Sequence, residues 1–207
     1  MTDPQIHPRP ALVFDLGGVL IDWNPRYLYR RYFPDDPQAI ERFLSETSFF
    51  AWNVTQDAGL PFAEAVAEIS ARHPQYAELF RAYDEYYEET ISGPIQPTVE
   101  ILGELKQAGY PLYALSNWPS EKFYRVRPKF DFLGWFDRVL VSGDVGLVKP
   151  DPRIFTLLLE QIGRPAEACI FIDDSDGNVG AAMALGFQTI RFCSPEQLRS
   201  DLARLGI

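Results

Sequence analysis

Residues 11–18 read Ala11-Leu12-Val13-Phe14-Asp15-Leu16-Gly17-Gly18, a short apolar run that ends in a carboxylate and then in two glycines. An apolar run of this length suits a strand buried on both faces of a parallel sheet, and the glycine pair breaks the regular pattern. The same reading recurs downstream. Strands are expected over 112–115 ending at Ser116-Asn117, over 139–141, over 169–172 ending at Asp173-Asp174, and over 189–192. Helices alternate with them over 97–108, stopped by Gly109, over 152–162, stopped by Gly163, and up to about Leu185, with Gly186 as its cap. Ser194-Pro195-Glu196-Gln197 is a capping-box pattern that opens a final helix. Alternation at this spacing implies an α/β fold, a Rossmann-like parallel sheet with helices on both faces.

The stretch 22–93 has a different character. It shows no strand signal and reads as helices over 25–33, 37–44, 61–72 and 75–91, with Pro25, Pro37 and Pro61 placed where a helix can begin. It holds 13 acids against 6 arginines and 15 of the 29 aromatic residues, bulk enough for a core of its own. The expected organisation is a Rossmann-like core from 1–21 and 94–207, interrupted after its first strand by a helical cap, 22–93. The insert leaves beside Asp15 and returns before the second strand, so it should sit over the carboxyl edge of the sheet, where open α/β sheets bind ligands.

Composition narrows the function classes. The chain has 207 residues, 46% of them apolar and 23% charged, which suits a globular protein. A net charge of −10 argues against nucleic acid or anionic membrane as partners. No run approaches the ~18–20 apolar residues of a membrane span, and residues 1–10 lack the apolar stretch of a secretory signal. Two cysteines, Cys169 and Cys193, cannot build a disulfide framework or a four-ligand zinc site, so a reduced, cytoplasmic setting is expected. Nothing demands more than a monomer or homodimer.

Four strand ends converge on one edge: Asp15, Ser116-Asn117, the loop with Lys149, and Asp173-Asp174. Asp15, with an ordinary pKa of ~3.9, is ionised at neutral pH and able to attack an electrophile without a separate base. Gly17 and Gly18 let backbone N–H groups approach a bound anion. Ser116 and Asn117 offer hydrogen bonds to anionic substrate oxygens, Trp118 is placed to line the pocket, and Lys149 brings a positive charge. Three carboxylates offset by one lysine leave a net charge of about −2, which a divalent cation such as Mg²⁺ removes.

The ordered set Phe14-Asp15-Leu16-Gly17-Gly18-Val19-Leu20, Leu115-Ser116-Asn117, Lys149-Pro150-Asp151-Pro152 and Phe171-Ile172-Asp173-Asp174-Ser175-Asp176-Gly177-Asn178 resembles the haloacid dehalogenase superfamily of hydrolases with a helical cap inserted after the first strand. The resemblance covers essentially the whole chain. It implies that Asp15 is the nucleophile, that Lys149 orients it and holds the anion, and that Mg²⁺ binds Asp15, the Gly17 carbonyl and Asp174 directly. Asp173 would then act through water, and Asn178 as outer support.

One position departs from the pattern. Phosphatases of the superfamily usually carry a second aspartate two residues after the nucleophile, to protonate the leaving alkoxide and activate water; here that position is Gly17. Either another group fills the gap (Asp22 or a cap residue), or leaving groups of low pKa are favoured, or catalysis is slow. The charge argument outweighs the missing acid. The expected function is therefore a Mg²⁺-dependent phosphatase acting on a small organic phosphomonoester through an aspartyl-phosphate. The alternatives are a 2-haloacid dehalogenase using the same Asp15, phosphoryl transfer to an acceptor other than water, and a catalytically idle anion- or protein-binding module.

Several further residues carry expectations. Trp23, Asn24, Arg26, Trp52 and Asn53 are candidates for facing the site from the cap, with Arg26 able to hold a second phosphate or a carboxylate. Asp84, Glu85, Glu88 and Glu89 read as a solvated helix face, Asp176 as a solvated loop residue, and Cys169 as a small core residue. His7 and His73 carry no signal. Pro150 and Pro152 set the turn after Lys149.

Overall fold

The computed structural model describes residues 9–207; residues 1–8, and with them His7, lie outside the described residues. Its strands are β1 (Ala11–Phe14), β2 (Ile21–Trp23), β3 (Ile91–Pro94), β4 (Leu112–Ser116), β5 (Arg138–Val141), β6 (Cys169–Asp173) and β7 (Gln188–Arg191). Five of them form one parallel sheet in the order β5-β4-β1-β6-β7, as the alternation implied.

Each strand of the central trio is buried on both faces, which is why its sequence runs apolar without alternating. Successive side chains still point to opposite sides. Leu12 and Phe14 pack into the larger core cluster, which continues into the helical insert; Ala11 and Val13 pack with Phe155 and Phe171 on the other face. The register then places the chemistry. Phe14 pairs with both Ala114 and Ile172, so Asp15 and Asp173 emerge side by side at the carboxyl edge, with Ser116 one residue further along β4. The Asp15 N–H donates to Ile172 O at 2.8 Å, fixing that alignment one residue past the strand.

Between β2 and β3 lie five helices: α1 (Pro25–Tyr29), α2 (Pro37–Glu46), α3 (Phe49–Asp57), α4 (Phe62–Arg72) and α5 (Ala77–Glu85). Proline at the first helical position and an Asx cap open α1 and α2, where Asn24 and Asp36 accept from Arg26 N and Ala39 N. Their rings interlock: Phe49 meets Tyr29, Phe43, Trp52 and Tyr83 with centroids 4.9 to 5.9 Å apart.

Several expectations are corrected here. The stretch 22–93 contains strand, because β2 and the start of β3 form an antiparallel two-stranded ribbon in which Asp22 pairs with Gly93. The expected helix 25–33 ends at Tyr29, and the expected helix 75–91 is instead a 3-10 turn, α5, a second 3-10 turn over Tyr87–Thr90, and the first residue of β3. Three helices, α3, Ser120–Val126 and the single turn Ser142–Val145, lie outside the expected set. The insert is also pinned to the sheet domain by charge. Lys122 Nζ donates to Asp84 O at 2.9 Å and pairs with the Asp84 carboxylate, while Arg125 and Lys129 both engage Glu88. Asp84 and Glu88 are therefore contacts between the two parts of the chain, not a free solvated face.

Candidate functional site

The carboxyl edge of the sheet and the insert enclose a cavity of about 480 Å³. Its floor carries Asp15, Gly17, Ser116, Asn117 and Asp174, and its walls carry Trp23, Phe50, Val54, Tyr87 and Trp118. Asn53 and Asp57 of α3 reach it from the insert.

Asp15 is held by one oxygen. Its Oδ1 accepts from Leu16 N–H at 2.7 Å and faces Lys149 Nζ at 2.9 Å, while Oδ2 has no partner among the described residues. Lys149 is buried and also donates to Asp173 Oδ2 at 2.7 Å and to Leu115 O at 2.8 Å. Burial alone would lower its pKa, but Asp15 and Asp173 raise it above the ordinary value, so the ammonium is retained. Asp173 is fully buried and saturated with donors: besides Lys149 it accepts from Ser175 N–H at 2.8 Å and from Asn178 Nδ2 at 3.0 and 3.1 Å.

Asp15, Asp173 and Asp174 each offer an oxygen within 4.8 Å of the others. Burial, opposed by Lys149 and reinforced by Asp173, lifts Asp15 to about 7. Burial and Asp173 likewise raise Asp174. This is the signature of a site with more negative charge than its own lysine can compensate. An oxygen-only donor set of this charge fits a hard divalent cation. Asp174 has open oxygens for it and Asp15 offers one oxygen to the cluster, whereas Asp173, with its donors already in place, fits the role of a support behind them.

Two expected substrate contacts are corrected. The Gly18 N–H is already spent on Ile21 O at 2.9 Å, which removes it from any anion cradle. Gly18 is needed for another reason: its φ is +75°, and a Cβ there would lie 2.5 Å from Asp174 Oδ2. A Cβ on Gly17, by contrast, would meet nothing within 4 Å. Gly18→Ala is thus expected to destabilise the fold by about 1–3 kcal/mol, while Gly17→Ala stays close to wild type; urea midpoints of the pair measure this. Asn117 lines the cavity, but its side chain is a clamp. Its Oδ1 accepts from Lys149 N–H at 2.8 Å and its Nδ2 donates to Lys149 O at 2.9 Å, holding the loop that presents the lysine. Ser116, in contrast, lines the cavity with a hydroxyl that has no partner among the described residues.

The insert residues divide. Trp23 and Asn53 line the cavity. Asn24 caps α1, and Trp52 donates its indole N–H to Ala65 O at 3.1 Å inside the aromatic core. Arg26 is not brought to the site: a two-pronged pair with Glu41, at 2.6 and 2.7 Å, holds it on the surface. Asp176 opens the helix Asp176–Ala184 and pairs with Arg191. Trp118 does line the cavity, and both its indole N–H and that of Trp23 are buried without a partner among the described residues. Asp57 escaped the sequence reading, although it is a lone carboxylate closing an otherwise aromatic and neutral segment, 49–57, with no cation beside it.

Residues 10–186 match a family model described as haloacid dehalogenase-like hydrolase. The chain is 29% identical over 184 residues to a sesquiterpene phosphatase of Aspergillus oryzae, covering 85% of this chain and 86% of that protein. It is 30% identical over 141 residues to an (S)-2-haloacid dehalogenase of Burkholderia cepacia, covering 68% of this chain and 58% of that one. A HAD family enzyme of Bacteroides thetaiotaomicron, solved with magnesium and inorganic phosphate, superposes with a TM-score of 0.67 at 24% identity, over 88% of this chain and 93% of its own.

Proposed function

Since the chain belongs to the haloacid dehalogenase-like hydrolases, we propose that it is a Mg²⁺-dependent phosphatase that takes a small organic phosphomonoester, with residues 22–93 as the cap over its site. The observation that carries this reading is the cluster of Asp15, Asp173 and Asp174 around a single lysine. Left uncompensated, it would repel any anionic substrate, a haloacid carboxylate included. Phosphatase relatives, and a neighbour solved with magnesium and phosphate, support it.

In this reading Asp15, the Gly17 carbonyl and Asp174 hold the cation, with Asp173 and Asn178 behind them. Mg²⁺ held by these residues would neutralise the carboxylates and supply a Lewis acid for the phosphoryl oxygens. Lys149 fixes Asp15 through Oδ1 and leaves Oδ2 to attack phosphorus, forming an aspartyl-phosphate that water then hydrolyses. Ser116 donates to a phosphoryl oxygen. The walls define the organic part. Among the described residues no lysine or arginine lines the cavity, and aromatic rings make up most of its walls, so the fitting substrate is a monophosphate whose remainder is uncharged and presents apolar surface. Two free cysteines fit a cytoplasmic enzyme. Among the described residues, no helix is long and apolar enough to cross a membrane.

The test is phosphate release from 4-nitrophenyl phosphate with and without Mg²⁺, for wild type and Asp15→Asn. Turnover that requires Mg²⁺ and disappears in the variant is expected. Equal, negligible release by both proteins sinks the reading, and chloride release from 2-chloropropionate would then establish the dehalogenase instead.

A further inference from the structure

Expulsion of an alkoxide from phosphorus is slow without a proton, and Gly17 has no side chain to give one. Asp22 is not available for the task. Both its oxygens accept from the Tyr27 hydroxyl, at 2.9 and 2.8 Å, and it does not line the cavity. A different carboxyl does.

Asp57, at the C-terminus of α3, lines the cavity that holds Asp15, Gly17 and Ser116, and is 6% exposed. It has no salt-bridge partner among the described residues. Its one side-chain partner is Asn53, whose Nδ2 donates to Oδ2 at 3.1 Å, and Oδ1 remains open. Asn53 is itself oriented by the Tyr83 hydroxyl, which donates to its Oδ1 at 2.6 Å. The backbone is fixed as well. The Ser142 hydroxyl accepts from Trp118 N–H at 2.9 Å and donates to Asp57 O at 2.6 Å, tying the end of α3 to the floor of the site. A buried carboxyl held this firmly, near another carboxylate and away from any paired cation, has no structural task that an amide or an apolar residue would not do better.

We propose that Asp57 is the general acid of the reaction, delivered by the cap in place of the side chain absent at Gly17. The inference rests on the phosphatase reading. As Asp15 Oδ2 bonds to phosphorus, the ester P–O bond breaks with its electron pair on the departing oxygen, and Asp57 gives that oxygen its proton. When water attacks the aspartyl-phosphate, its proton returns to the Asp57 carboxylate, phosphate leaves, and both aspartates are restored. Burial, with Asp15 adding to it, pushes the Asp57 carboxyl up to about 7, toward the range in which a proton can be both given and taken back.

The experiment compares kcat/KM for phenyl phosphate and 4-nitrophenyl phosphate, with Mg²⁺, in wild type and Asp57→Asn. The two substrates share a shape and differ in leaving group: phenol is as weak an acid as a tyrosine side chain, at about 10, while nitrophenol is far stronger. Because kcat/KM reports events up to departure of the first product, it isolates the protonation step. Asp57→Asn is expected to lose about 10²–10⁴-fold on phenyl phosphate and far less on the nitrophenyl ester, whose remaining turnover also shows that the variant folds. Asp57→Ser, with less volume, gives the same contrast should the amide disturb α3. Equal losses on both esters, or no loss on either, overturn the assignment while leaving the phosphatase reading intact. A wild type inactive on both overturns the two together.

Discussion

Lys149→Met should unfold at a much lower urea concentration than wild type when no divalent cation is added, and should release no measurable phosphate. The ammonium is buried between Asp15 and Asp173 at 2.9 and 2.7 Å, and the thioether is of similar length but carries neither charge nor donor. Removing one partner of a buried ion pair costs about 3–5 kcal/mol, because the other charge stays buried without compensation. Here two carboxylates are abandoned together. The sign of the pH dependence follows from Asp15. Burial already raises its pKa to about 7 with Lys149 in place, and losing Lys149 removes the main influence that lowers it. A carboxyl whose pKa is raised on folding penalises the native state above that value and ceases to do so as it takes up its proton. The deficit of the variant is therefore larger at pH 8 than at pH 5. Urea titrations at the two pH values measure it, and an unchanged deficit would show that the ion pair is not its source.

Phe49→Ala comes next in size. The ring is fully buried at the centre of the insert, and its neighbours Tyr29, Phe43, Trp52 and Tyr83 approach it edge-on or tilted. Truncating a buried phenylalanine costs about 3–5 kcal/mol, from lost burial and from the cavity left behind. Those neighbours are themselves large rings on four different helices, so the gap closes poorly. The loss should be concentrated where the ring acted. Phe49 opens α3, whose later turns carry Asn53 and Asp57, and Tyr83 positions Asn53. Hydrogen exchange is expected to accelerate in α3 and α5 while the amides of β1, β4 and β6 keep their protection. Uniform acceleration would mean that insert and sheet unfold as one unit.

The sheet was legible because its strands are apolar on both faces and end abruptly in polar groups. Asp15, Ser116 and Asp173 stood out for that reason, and the parallel register explains why such ends become neighbours. The insert was harder. β2 and β3 are three and four residues long and include Gly93 and Pro94, so neither offers a pattern to read. Phe49–Asp57 is apolar around much of its circumference, because it packs against α2, α4 and the floor of the site, and so lacks the single stripe that marks a surface helix. Residue roles were misread where side chains serve the protein first. Arg26 went to Glu41, Asn117 to the Lys149 backbone, and the Gly18 N–H to Ile21 O. No sequence pattern distinguishes an amide that meets substrate from one that clamps a loop.

The ribbon of β2 and β3 has an architectural consequence. Because Asp22 and Gly93 are paired across it, the chain leaves and re-enters the sheet domain at neighbouring points, about 4.5–5.5 Å apart for facing residues of an antiparallel pair. Everything between them is a cassette: a turn of a few residues would bridge the gap without displacing Asp15, Ser116, Lys149 or Asp173. The sheet part thus carries the nucleophile and its lysine, the insert brings Asp57 and the walls that meet the substrate, and the two are joined covalently at a single seam.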